Sequence, residues 1–152
     1  MDEVFDDDVL ARAQAPEGFK VYETRDGLYS AHNGPFFIKG RFPDAVMGVR
    51  ILDRHSNLNK VAHGGLLMSF IDTVIGRTAA AAAADICATA SLTTHFLRPV
   101  PLGSWVEGRA EALKTGKRAV FLRAELTCDG ELALTAEGLW QRITVPGRNK
   151  LK

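Results

Sequence analysis

The chain has 152 residues, a length that fits one domain, and 46% of it is apolar, enough for a sizeable core. Its formal net charge is +1, which removes any global electrostatic case for nucleic acid or an anionic membrane as a partner. The two cysteines, Cys87 and Cys128, stand among apolar neighbours without a Cys-x-x-Cys spacing, so buried free thiols in a reducing cytosol are expected rather than a disulfide.

Taken in chain order, the first eight residues are acidic through Asp2, Glu3, Asp6, Asp7 and Asp8. They read as a solvated helix over residues 4–13, ended by Pro16, and lack the apolar stretch of a secretory signal. Residues 18–31 carry two short apolar runs, Phe19 with Val21 and Tyr22, then Leu28 with Tyr29, and read as one or two short strands. Gly34-Pro35 marks a turn. Residues 45–53 read as a strand and the polar stretch 54–62 as a loop. From His63 to Ala84, Leu67, Ile71, Val74, Ile75 and Thr78 recur at helical spacing, and alanines extend the run with the best helix former. The longest apolar stretch, residues 79–84, is alanine alone and too short to span a bilayer.

The remainder reads as strands: 87–98, 104–113, 118–128 and 131–143. In the second, Val106, Gly108 and Ala110 alternate with Glu107, Arg109 and Glu111; in the third, Val120, Leu122, Ala124 and Leu126 alternate with Phe121, Arg123, Glu125 and Thr127. Asp129-Gly130 is a strong hairpin signal. Three or four antiparallel strands in a meander are therefore expected after the helix. Residues 146–152 read as a disordered tail. One long helix and one sheet in a short chain make a two-layer α+β domain, the helix on the sheet's concave face.

Asp72 stands alone as an acid in the long helix. Its neighbours on that face are Gly65, Met68, Ser69, Ile75, Gly76 and Ala79. Three of the six are Gly or Ala, which leaves open space beside a partly desolvated carboxylate. Such a group can activate water or attack a carbonyl; its structural alternative is an ion pair with Arg77 or Arg98. Gly64 and Gly65 open the helix with bare N–H groups at the positive end of its dipole, suited to an oxyanion. His63 is suited to orient rather than to transfer a proton. Asn57 suits either a water-binding role or an Asx-turn, and Asn59 competes for the same place. Arg98, Lys117 and Arg118, with Arg54 and Lys60 behind them, are candidates for phosphate binding. Met68, Phe70, Phe96 and Trp105 are candidates for an acyl pocket.

The ordered set Asn57, His63-Gly64-Gly65 and Asp72, nine residues after the histidine, resembles the acyl-CoA thioesterases of the hotdog superfamily, and within it the phenylacetate-pathway subgroup. Phe96-Leu97-Arg98-Pro99 with Gly103, and Gly116-Lys117-Arg118, are similar to that subgroup's following strand and turn. The resemblance covers roughly residues 45–143. It implies a hotdog fold, one long central helix wrapped by an antiparallel sheet, and hydrolysis of an acyl-CoA. It implies Asp72 as the central acid, Gly64 as the oxyanion donor and Asn57 on the attacking water. It also implies a hydroxyl at Thr89, with Ser91 on the same strand face, touching the acid or the water. Gly65, Arg98, Lys117 and Arg118 would contact the CoA. The resemblance further implies a homodimer or homotetramer joined sheet edge to sheet edge, with the acid of one subunit facing the Asn-His-Gly segment of the other. A hotdog hydratase or dehydratase and a non-catalytic acyl-CoA-binding module are the competing readings. No metal or redox cofactor is expected, since no two of His32, His55, His63 and His95 lie three or four residues apart.

Overall fold

The computed structural model describes residues 7–22 and 28–143. Its centre is helix α3, Gly64–Ala83. His63 caps its start in an extended conformation, and Ala84 ends it in the left-handed region at φ 48°. Leu66, Leu67, Phe70, Ile71, Val74, Ile75, Thr78 and Ala79 are its buried face. By length and apolar content α3 would satisfy the requirement for a membrane span, yet this face is the core of the domain.

A seven-stranded sheet wraps it. The strands are β1 (Lys20–Val21), β2 (Phe36–Lys39), β3 (Val46–Arg50), β4 (Cys87–Phe96), β5 (Trp105–Thr115), β6 (Ala119–Cys128) and β7 (Glu131–Arg142). Their order across the sheet is β1-β2-β3-β5-β6-β7-β4, with every pairing antiparallel. The alternation read from the sequence holds: Val106, Gly108, Val120, Leu122, Ala124 and Leu126 face α3, and Arg109, Glu111, Arg123 and Glu125 face out. Gly108 lets the helix come this close. A Cβ there would meet Val74 Cγ2 at 2.8 Å and Leu126 Cδ2 at 3.0 Å.

One expectation is narrowed and one changes. The meander has three strands, β5, β6 and β7, and not four: β4, the first strand after the helix, pairs with β7 at the sheet edge and not with β5. The link between β4 and β5 instead runs under the polar loop, where Ala62 N–H donates to the buried Val100 carbonyl and Val61 bridges Pro101. Leu28 and Tyr29 belong to a short helix, α2 (Leu28–Asn33), which a pair of apolar residues cannot distinguish from a strand. The N-terminal helix α1 is Asp7–Ala13 within the described residues; residues 1–6 and the tail 144–152 lie outside them.

The segment after α1 seals the sheet's outer face. Ala13, Phe37 and Trp105 form a second small core, with Phe19 edge-on to Trp105 at 5.1 Å. Trp105 therefore lies on the far side of the sheet from α3 and is no pocket residue, and Phe70 is wholly buried core.

Candidate active site

The start of α3 is built by local hydrogen bonds. The Gly65 N–H donates to His63 Nδ1 at 2.9 Å. The ring is thus consumed as an N-cap, which fits an orienting role and removes it as a proton carrier at that nitrogen. Gly65 is equally consumed, so its amide is not a substrate donor. Leu66 N–H donates to the His63 carbonyl at 3.0 Å. Among the described residues the Gly64 N–H alone in this turn has no acceptor. The Phe96 ring lies 3.4 Å from where a Gly64 Cβ would stand, and with Phe96 half exposed it forms a wall beside that free donor.

Two turns along, Asp72 is half-buried. Thr89 Oγ1 donates to Asp72 Oδ1 at 2.7 Å. The second carboxylate oxygen has no partner among the described residues, and neither Arg77 nor Arg98 pairs with it. The alternative of a buried ion pair is therefore set aside. Thr89 reaches the acid because β4 carries a bulge between Thr89 and Ser91. Thr89 pairs with Trp140, which faces the helix, whereas Ser91 pairs with Leu139, which faces outward. The expectation that Ser91 shares the face of Thr89 is thereby corrected: an extra residue, Ala90, breaks the two-residue alternation.

Asn57 closes its own loop. Its Oδ1 accepts from Asn59 N–H at 2.8 Å and from Val61 N–H at 3.4 Å. This is the Asx-turn reading, and it leaves the Asn57 amide NH2 as the group able to meet a water. Asn59 acts through its backbone here.

The phosphate candidates are scattered. Arg98 is paired with Glu131, and Arg54 donates to the Gly34 carbonyl. Lys117 and Arg118 are exposed on the β5–β6 turn. That turn lies beside Arg142, itself opposite Cys87 at the start of β4, whereas Arg98 follows the end of β4. A ten-residue strand separates them, roughly 30 Å. One chain does not bring these cations together. Among the described residues no three His, Cys, Asp or Glu side chains gather as a metal site.

Two features escaped the sequence. Tyr29 on α2 hydrogen-bonds Ser69 Oγ at 2.8 Å, one turn from Asp72. His55, inside the polar loop, is buried. Burial, then the Arg54 guanidinium, lowers its pKa from 6.5 to about 4. No periodicity marks either residue, because both depend on which segments fold back on α3.

Comparisons with known proteins identify the family and the fold. Residues 59–134 match the thioesterase superfamily. The chain is 30% identical over 131 residues to "Putative esterase PA0474" of Pseudomonas aeruginosa, covering 82% of this chain and 95% of that one. Its fold superposes on a mutant of the phenylacetic acid degradation protein PaaI from Thermus thermophilus with TM-score 0.71 at 23% identity, over 77% of this chain and 100% of that one. A "Hypothetical Thioesterase Protein" from Streptococcus pneumoniae, solved with coenzyme A, superposes with TM-score 0.66 at 16% identity, over 82% of this chain and 94% of that one. A matching family, an antiparallel sheet around one long helix, and a helix start with a free amide two turns from a carboxylate converge: the chain belongs to the thioesterase superfamily and has the hotdog fold of the PaaI type.

Proposed function

We propose that this protein hydrolyses the thioester of an acyl- or aryl-CoA to the free acid and CoA, in a site shared between two copies of the chain. The carrying observation is the pair formed by the open oxygen of Asp72 and the unpartnered Gly64 N–H. They are eight residues apart on one helix, about 12 Å along its axis. A thioester carbon at Asp72 and its oxygen at a donor must both be within about 3 Å of their partners. One chain therefore cannot use both groups on one substrate. The exposed edge strand β4, which carries Thr89 near its start and Phe96 at its end, supports the remedy. A second copy paired antiparallel along this edge would set its own helix start, with Gly64 and Phe96, opposite Asp72. The same two-fold would bring Arg98 of one copy toward Lys117 and Arg118 of the other.

In the reaction, Asp72 either takes a proton from the attacking water or itself adds to the thioester carbon. The Thr89 hydroxyl fixes the carboxylate in both cases. The Gly64 amide stabilises the oxyanion as the carbonyl becomes tetrahedral, and collapse breaks the C–S bond to release CoA thiolate; where Asp72 itself has added, this leaves an acyl anhydride on its carboxylate, which water then hydrolyses to the free acid and the restored Asp72. The solved relative that holds coenzyme A supports CoA as the leaving group. A thiol-release screen over acyl-CoAs of varied chain length and aromaticity tests the reading; no release from any of them would overturn it.

A further inference from the structure

We propose that His55 is a positioning residue for the oxyanion donor: its imidazole and its carbonyl together fix the loop that presents Gly64. This rests on the thioesterase reading above and extends it to a residue that never touches the substrate.

His55 ends a single 3-10 turn, Asp53–His55, directly after β3. Two of its atoms hold the loop from opposite sides. Its Nδ1 accepts from Leu52 N–H at 3.0 Å, tying the ring back to the strand end. Its carbonyl accepts from His63 N–H at 2.8 Å, and His63 is the residue that caps α3 and orients the Gly64 peptide. Between these anchors the chain makes the Asn57 turn, with Asn57 N–H donating to the Val61 carbonyl at 2.8 Å and Ser56 bridging Ala62. The ring itself is 5% exposed, in a loop that is otherwise polar and open. A buried polar ring in such a place is retained only when its nitrogens are satisfied.

The arrangement requires one form of the ring. With Nδ1 accepting, the neutral ring carries its proton on Nε2. The carbonyls of Asn33, Arg50 and Gly34 favour a ring proton; the Arg54 Nε–H points at Nε2 from 3.4 Å, a contact that cannot be a hydrogen bond once Nε2 carries that proton, and burial, then the Arg54 charge, disfavours a second ring proton. A doubly protonated ring would lose the Leu52 bond, because Nδ1 would then point a hydrogen at an N–H. The ring also joins the loop to the 33–34 segment, so three separate stretches of chain meet on it. Asp53, exposed and bound to Arg12, belongs to the same turn but faces away toward α1.

The inference separates sharply by atom. Asparagine places Oδ1 where Nδ1 stands and keeps the acceptor for Leu52 N–H. Glutamine places its amide nearer Nε2 and loses that acceptor while filling the space. His55→Asn is therefore expected within about threefold of wild type in kcat. His55→Gln and His55→Leu are expected to lose about 10- to 100-fold in kcat with KM within threefold, the scale of a small misplacement of a catalytic group. Kinetics on hexanoyl-CoA and benzoyl-CoA, using whichever the wild type turns over faster, give this split. Hydrogen–deuterium exchange of peptides spanning residues 56–67 is the second readout. Uptake should rise in the Gln and Leu variants and remain at the wild-type level in the Asn variant. Equal behaviour of Asn and Gln in exchange, or a Gln variant with wild-type kcat, overturns the proposal. If the wild type releases no thiol, the functional reading fails, and the exchange pattern alone then decides the role of His55. If the Leu variant does not fold, the Asn and Gln pair carries the test.

Discussion

Thr89 on the edge strand donates its hydroxyl to one oxygen of Asp72 on the central helix at 2.7 Å and leaves the other oxygen open. The carboxylate is thus fixed in direction without being neutralised. Asp72→Asn is expected to keep the fold and lose more than about 10²-fold in thiol release, because the amide is neither base nor nucleophile. Thr89→Val, which keeps the shape and removes the donor, is expected to lose about tenfold. Circular dichroism establishes the fold and steady-state assays the rates. Wild-type turnover by a folded Asp72→Asn protein would remove the acid from the mechanism.

Gly64→Pro isolates the oxyanion donor. Gly64 is the first helical residue, a place where proline is tolerated, and His63 before it already has φ −63° and ψ 131°, the conformation that proline demands of its predecessor. The substitution deletes an N–H that the helix does not use and adds a ring in ordinary contact with Phe96, 3.4 Å from the new Cβ. The expected result is an unchanged helix signal and a loss of roughly 10²–10³ in kcat. Retained kcat would show that the oxyanion is held elsewhere.

The two variants also test whether the site is shared. Asp72→Asn and Gly64→Pro chains, mixed under conditions of demonstrated subunit exchange, are expected to regain about a quarter of wild-type activity, since half the dimers are hybrid and each hybrid restores one of its two sites. Activity that stays at the level of the separate variants would place both groups within one chain.

His55 makes stability depend on pH. Unfolded, the ring takes a proton near pH 6.5; folded, only near about 4. Between those values the unfolded state binds more protons, so stability rises with pH through this window and is lost as pH falls from about 6.5 to about 4. The full depression corresponds to about 3 kcal/mol. Urea titrations from pH 4 to pH 7 should show this slope in the wild type and its absence in His55→Asn. Parallel slopes in the two proteins would contradict a buried neutral ring.

Gly108→Ala tests the closeness of helix and sheet. The new methyl would stand 2.8 Å from Val74 Cγ2, within a core of buried Leu126 and Phe70. Overpacking of this kind costs about 1–3 kcal/mol, read as a lower urea midpoint with an unchanged slope. An unshifted midpoint would mean that α3 rides farther from β5.

Much of this protein was legible in its amino acids. The 3.6-residue period from Leu67 to Thr78 set out the central helix almost to its ends, because His63 and the glycines give a definite start. The two-residue alternation over residues 106–111 of β5 and 120–127 of β6 assigned those side chains to their faces, because the strands there have one buried and one solvated side; the register shift between Ala112 and Lys114 ends it in β5. The ordered set Asn57, His63-Gly64-Gly65, Asp72 supplied, through the resemblance, the residues of the proposed site, Thr89 among them. What periodicity does not encode is which strand neighbours which. That β4 lies at the edge beside β7 follows from how the link through Val100 crosses beneath the polar loop, a long-range contact with no local signature. The bulge at Ala90 is also tertiary: it turns Thr89 toward Asp72 and Ser91 away, against the alternation a straight strand would impose. His55 and Tyr29 matter only because α2 and the 53–63 loop fold back on α3. The partnering of Arg98 by Glu131 depends likewise on the β4 end meeting the β7 start. Local pattern set out the long helix and the faces of the unbulged strands, since each depends on a few neighbouring residues; the tertiary structure decided the short helix α2, the face of Ser91 and which faces and polar groups meet.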